Sequence, residues 1–171
     1  KLRFAWRGDR FEFDLLRRLG DLYIAVGDYR NGLRTMRQAA THFRDYKDAA
    51  EVTQKMIDFF ASLYLEDKAN TMSPITAIAL YDEFKELTPP GKKGAEMVRR
   101  LADRLVGVDL LDRAAELLQD QVEFRLDGVK KARVGAQLAL IHILAHNFED
   151  STRILDGSSV QDISKELNTI W

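Results

Sequence analysis

Apolar residues return at intervals of three and four along most of this chain, with polar residues between them. That is the period of one face of an α-helix. Leu15, Leu16, Leu19, Leu22, Tyr23 and Val26 form the first stripe. Gly27-Asp28 reads as its stop, because glycine accepts the left-handed conformation that ends helices. A second stripe runs Tyr29, Leu33, Met36, Ala40, Phe43, and a third runs Val52, Met56, Phe59, Phe60, Leu63, Tyr64. LEDKANTMS (65–73) is polar and predicts a long loop. Pro74 opens a fourth helix with Ile75, Ile78, Leu80, Tyr81 and Phe84, ended by TPPG. The fifth carries Met97, Val98, Leu101 and Leu105, and the sixth Leu111, Ala114, Leu117, Leu118 and Val122. A seventh covers 129–145, and Asn147-Phe148 starts a shorter eighth. SSVQDISKEL (158–167), with Ser159 as its cap, predicts a ninth. No segment alternates as a strand would, so the expected class is all-α.

One phrase occurs twice. RRLGDLY (17–23) returns as RRLADRL (99–105). Leu19-Gly20-x-x-Tyr23 aligns with Leu101-Ala102-x-x-Leu105, with Leu138-Ala139-x-x-His142 and, more loosely, with Phe60-Ala61-x-x-Tyr64. A second small residue follows twelve positions on: Gly32, Ala114 and Ser151. In the loose copy Ala77 follows sixteen positions after Ala61, as a four-residue loop insertion would give. Bulky residues stand three before the second small site (Tyr29, Leu111, Phe148; Pro74 in the loose copy) and four after it (Met36, Leu118, Leu155, Tyr81). Two helices whose axes cross about 8–10 Å apart need small side chains at the crossing. One hairpin cannot bury both its faces, so such units must stack.

This arrangement resembles the tetratricopeptide repeat family. The resemblance is carried by Leu19, Gly20, Tyr23, Gly27, Tyr29, Gly32, Met36 and Ala39 in the first copy, and by Leu101, Ala102, Leu105, Leu111, Ala114 and Leu118 in the third. It covers residues 13–155. Two features depart from the family: its unit is about 34 residues, whereas the first small sites here lie 41, 41 and 37 apart, and Leu16 and Val98 stand where the family places tryptophan. The resemblance implies a right-handed superhelical stack of about four antiparallel hairpins in one domain over 1–171. In that domain 1–12 is an aromatic arm or the remnant of a preceding repeat, and 158–171 is a capping helix. It also implies that the first helices line a concave groove for a peptide or protein partner. The groove stripe would be Asp14, Arg17, Asp21, Ile24; then Lys55, Asp58, Ser62, Leu65; then Glu96, Arg99, Asp103, Val106; then Arg133, Ala136, Leu140, Ile143. Arg17, Arg99 and Arg133 have the planar fork that grips a carboxylate. The competing reading pairs Arg17 with Asp21 and Arg99 with Asp103 along one helix. The Lys and Asn pattern with which some family members clamp a peptide C-terminus is not found.

Composition narrows the partners. The chain has 171 residues, 26 Lys and Arg against 27 Asp and Glu, and a net charge of -1. It therefore has no broad field with which to hold a phosphate backbone, and nucleic acid is not an expected partner. No apolar run reaches the length of a membrane span; the densest, LALIHILA (138–145), contains a histidine. There is no cysteine, hence no disulfide framework and no thiolate metal site, which favours a reducing, cytoplasmic setting. No signal-peptide pattern is visible. Lys1 in place of methionine reads as a piece of a longer, bacterial protein.

Candidate chemistry is thin. His142 and His146 stand four apart with Glu149 following, an interval that can share a metal on a helix. His142 aligns with the packing residues Tyr23 and Leu105, and His146 falls at a turn, so packed or capping histidines are expected and no metal. Asp109, Asp112, Glu116, Asp120 and Glu123 alternate with an apolar stripe and read as a solvated face, with Asp109 and Asp112 at a helix start. Thr71, Ser158 and Ser159 have no triad partners at a recognisable interval. Gly91-Lys92-Lys93-Gly94 lacks the context of a phosphate loop and reads as a solvated turn. No cofactor and no catalytic role are expected. Both ends carry apolar residues: Phe4, Trp6, Phe11 and Phe13 at one, Val160, Ile163, Leu167 and Ile170 at the other. The expected function is a non-catalytic interaction scaffold. The alternative is a self-assembling repeat domain, a homo-oligomer whose groove is filled by its own termini or by a second protomer.

Overall fold

A computed structural model describes residues 10–66, 68–124 and 128–159. The described residues form eight α-helices and no strand: α1 Arg10–Ala25, α2 Tyr29–His42, α3 Ala49–Leu65, α4 Pro74–Phe84, α5 Lys92–Val106, α6 Leu111–Phe124, α7 Gly128–Leu144 and α8 Phe148–Ser158. The fold class is thus all-α. Within the predicted loop at 65–73 lies a short 3-10 turn, Lys68–Thr71. Ser158 is the last residue of α8, and Ser159 follows it in extended conformation. Residues 160–171, which carry the rest of the predicted ninth helix, lie outside the described residues, as do Phe4 and Trp6.

Three turns share one design. Asp28 N–H bonds the Tyr23 carbonyl (2.9 Å) and Gly27 N–H the Ile24 carbonyl (3.1 Å), around a left-handed Gly27 with φ 85°. Leu110 and Asp109 repeat the pattern on Leu105 and Val106, and Asn147 and His146 repeat it on His142 and Ile143. This is the Schellman closure, which satisfies the last carbonyls of the first helix. Gly27, Asp109 (φ 61°) and His146 (φ 60°) each stand seven residues after the first small site of their copy. Asp109 therefore lies in the turn, not at a helix start. Asp112 does lie in the first turn of α6.

The small sites do bring helices together. A Cβ on Gly20 would stand 2.6 Å from Met36 Cγ and 3.2 Å from the Gly32 carbonyl oxygen. A Cβ on Gly32 would stand 2.7 Å from Ile24 Cγ1 and 3.1 Å from the Gly20 carbonyl oxygen. α1 and α2 thus touch backbone to backbone at this pair. Their counterparts Ala102 and Ala114 are buried where α5 packs on α6, and Ala139 and Ser151 where α7 packs on α8. α7 has a further notch one turn earlier, where any side chain at Gly135 would run into Ser158.

The chain divides into two compact units, residues 1–63 with 80–89, and residues 64–79 with 90–171. The first is filled with rings. Phe13 lies 5.7 Å from Phe43 and 5.6 Å from Tyr46 between ring centres. Tyr29 meets Phe59 at 5.6 Å, and Phe60 meets Tyr81 at 6.2 Å and Phe84 at 6.5 Å. Arg37 lies over the Phe84 ring at 4.6 Å. Arg30 (2.9 Å), Arg34 and Arg37 (3.9 Å) of α2 converge on Glu83. The second unit buries aliphatic side chains instead: Met97, Val98, Leu101, Leu105, Leu118, Leu138, Ile141 and Ile154. There Tyr64 donates its hydroxyl to the Ala77 carbonyl at 2.9 Å. Arg100 and Arg104 of α5 hold the carbonyls of Leu65 (2.7 Å) and Met72 (3.0 Å).

One stripe is turned the other way from its neighbours. α1 directs Phe13 and Gly20 inward, while Leu15, Leu19, Leu22 and Val26 are exposed. The helix is apolar on two sides, and α2 covers only the side that carries the glycine notch.

Candidate partner-binding site

The proposed groove residues fall on α1, α3, α5 and α7, and most are held by local bonds. Arg17 pairs with Asp14 (3.6 Å), not with Asp21. Asp21 instead takes a hydrogen bond from Lys55 Nζ on α3 (2.6 Å). Ile24 packs over Gly32. Asp58 accepts from Gln54 (3.2 Å), and Ser62 donates to the Phe59 carbonyl (2.9 Å). On α5, Arg99 sends Nη2 to Glu96 (2.7 Å) and Nη1 to Asp103 (3.1 Å), and Arg100 also binds Glu96 (3.0 Å). Asp103 accepts from Gln137 on α7. Val106 and Leu65 are half-buried, whereas Arg133, Ala136, Leu140 and Ile143 are exposed.

Two of these contacts share a spacing. Lys55 reaches Asp21, and Gln137 reaches Asp103, each from 34 residues further along. Both aspartates directly follow the first small residue of their copy. The acid–arginine–acid ladder also recurs, as Asp14, Arg17, Asp21 and as Glu96, Arg99, Asp103. The Asp14–Arg17 and Glu96–Arg99 pairs are one spacing apart in both.

The described residues form a cleft between the first halves of α5 and α7. It encloses about 360 Å³ and is lined by Lys92, Glu96, Arg99, Lys130 and Arg133, with Ala95, Val129 and Val134. Glu96 is consumed by Arg99 and Arg100. Their hydrogen bonds, that of Arg99 foremost, hold its carboxyl below the usual glutamate range, and the same bond to Glu96 raises Arg99. Lys92, Lys130 and Arg133 make no ion pair among the described residues. The cleft thus holds three uncompensated cations over apolar walls of alanine and valine. Unpaired cations around a partly desolvated cleft attract a carboxylate more strongly than they would in open water.

Sequence reasoning named Arg99 and Arg133 but missed Lys92 and Lys130. Gly91-Lys92-Lys93-Gly94 is not a solvated turn: only Gly91, with φ 73°, precedes the helix, and α5 begins at Lys92. The signal for Lys130 was its interval of three from Arg133, which puts both on one side of α7.

A second cleft, of about 480 Å³, lies among α6, α7 and α8 and is lined by Asp112, Glu116, His142, Asp150 and Arg153 among others. His142 Nδ1 is buried there without a hydrogen-bond partner. His146 stands off the helix at the left-handed position, so the two histidines do not share a helical face. Among the described residues no three His, Asp or Glu gather closely enough to hold a metal ion, and no helix is long and apolar enough to cross a membrane. Comparison of the chain with family models, curated proteins and solved structures returned no match.

Proposed function

We propose that this chain is a non-catalytic interaction scaffold, a divergent tetratricopeptide-like right-handed stack of hairpins that holds an acidic segment of a protein partner along its first helices. The observation that carries the reading is the α5–α7 cleft, lined by Lys92, Lys130 and Arg133, where the one lining acid, Glu96, is paired with Arg99 and Arg100. An extended peptide bearing Asp or Glu side chains would place a carboxylate among these cations and its apolar residues on Ala95, Val129 and Val134. Arg99 is already satisfied by Glu96 and Asp103, so it positions the wall instead of gripping the ligand.

A fluorescent peptide rich in Glu and its Gln counterpart, titrated with the full chain, provide the test. The acidic peptide should bind at least about tenfold tighter at low salt and lose that advantage as ionic strength rises. Lys130→Glu with Arg133→Glu should abolish the difference without altering helicity or thermal unfolding. Equal binding of the two peptides, or an unaffected double variant, would remove the cleft from consideration. A second reading, self-assembly, draws on the exposed Leu140, Ile143, Leu144, Phe148 and Leu155 of α7 and α8. Light scattering across a concentration series separates it, since a scaffold of this kind needs no second copy.

A further inference from the structure

The α5–α7 cleft carries more positive charge than one carboxylate can answer. Lys92, Glu96 and Arg99 line it from α5, Lys130 and Arg133 from α7. Arg99 and Glu96 bond each other at 2.7 Å and cancel. Lys92, Lys130 and Arg133 remain, exposed and in no ion pair among the described residues. Both helices also begin here: α5 starts at Lys92 and α7 at Gly128, and the lining residues belong to their opening turns. On α5 the Ala95 N–H bonds the Gly91 carbonyl at 3.1 Å, so the amides of Lys92, Lys93 and Gly94 precede the first bond along the helix. The positive ends of two helix dipoles thus add to the field that the three side chains set up.

A carboxylate brings one charge and two oxygens. In an extended segment its acidic neighbour points to the opposite side, so a run of Asp or Glu does not double the charge at one place. A phosphate monoester does: it carries about −1.5 to −2 charge near neutral pH and three strong acceptor oxygens on one atom. Arginine forks onto two such oxygens, and lysine answers the rest as a point charge. The half-buried Ala95, Val129 and Val134 keep water from part of the cleft, which strengthens each attraction over its value in open solution.

We propose that the α5–α7 cleft is a phosphate-recognition site, and that the partner segment it holds is phosphorylated on serine or threonine. The inference rests on the cleft being the partner site and names the charge it selects there. Arg133 supplies the fork, Lys92 and Lys130 the point charges. Glu96 keeps Arg99 and Arg100 out of the contact. Its hydrogen bonds to them, that of Arg99 foremost, hold its carboxyl below the usual glutamate range. It therefore stays ionised over the interval around pH 6 in which a phosphate monoester takes up its second proton.

Three fluorescent peptides of one sequence, with phosphoserine, glutamate or serine at the central position, are titrated with the full chain. Phosphoserine should bind at least about tenfold tighter than glutamate at low salt, and glutamate tighter than serine. From about pH 7.5 to about pH 5.5 the phosphopeptide should lose about threefold in affinity while the glutamate peptide holds steady. Lys92→Gln and Lys130→Gln change exposed residues, and circular dichroism checks that each variant is folded. Each should weaken the phosphopeptide by about fivefold and the glutamate peptide by less than about twofold. Inorganic phosphate should compete only at far higher concentration than unlabelled phosphopeptide. Equal potency would make free phosphate the ligand and overturn a phosphorylated partner. Phosphoserine no tighter than glutamate, with both above serine, would overturn the inference and leave the acidic-segment reading standing. Equal binding of all three peptides would overturn both. A phosphopeptide affinity that does not change with pH would also overturn the inference, since the cleft would then not be reading the dianion.

Discussion

The two units close their hairpins in the same way and fill them differently. In the first, Gly20 and Gly32 bring α1 and α2 into backbone contact beside Met36 and Ile24, and elsewhere in the unit Phe13, Phe43 and Tyr46, and Phe60, Tyr81 and Phe84, pack ring against ring. In the second, Ala102 with Ala114 and Ala139 with Ser151 occupy the equivalent places, and leucine, methionine, valine and isoleucine fill the rest. The small residue sets how near two helices come, and it leaves little freedom. What fills the volume beside that crossing is open to any apolar group of suitable size and shape.

The sharpest way to break this contrast is to empty one site in each unit. Phe60 is fully buried against Tyr81 and Phe84. Phe60→Ala should cost about 3–5 kcal/mol, and Leu138→Ala in the aliphatic unit about 2–5 kcal/mol. Urea unfolding measures both. A smaller loss at Phe60 than at Leu138 would mean that the rings of the first unit are loosely packed.

Filling a notch comes next. Gly32→Ala places a methyl against Ile24 and the Gly20 carbonyl, so α1 and α2 must move apart, at about 1–3 kcal/mol. Alanine already stands, fully buried, at the equivalent Ala114 where α6 packs on α5. An unchanged melting temperature for Gly32→Ala would show that the first crossing is no tighter than the others.

The smallest expected effect comes from the turns. His146 and Asp109 hold the left-handed conformation that Gly27 holds without steric cost. His146→Gly should stabilise the chain by up to about 1 kcal/mol, and Gly27→Ala should destabilise it by about 1 kcal/mol. Thermal unfolding of the two variants checks the sign.

Much of this was legible in the sequence because it depends on local spacing. The phrase RRLGDLY and its echo RRLADRL marked two crossings, and Gly27 marked a left-handed stop, whereas Asp109, which holds the same conformation seven residues after Ala102, was read as a helix start. Pro74 and Gly27 marked boundaries for equally local reasons. What was not legible depends on which side of a helix meets another. The stripe from Leu15 to Val26 has the same period whether it faces a core or water, and only the placement of α2 decides. Asp21 was expected to answer Arg17 on its own helix, but Lys55 on α3 comes within hydrogen-bond reach and takes it. Lys92 was read as part of a loop because two prolines and a glycine precede it, although helices commonly begin after such breakers.

The grouping of rings in one unit has a practical consequence. In a Trp6→Phe, Trp171→Phe background, near-ultraviolet circular dichroism should arise chiefly from Tyr and Phe, whose ring pairs among the described residues lie in the first unit, whereas the far-ultraviolet amide signal belongs to every helix. A ligand seated in the α5–α7 cleft should leave the first signal nearly still while shifting the second. The protein thus contains an optical label that reports which half of it has responded.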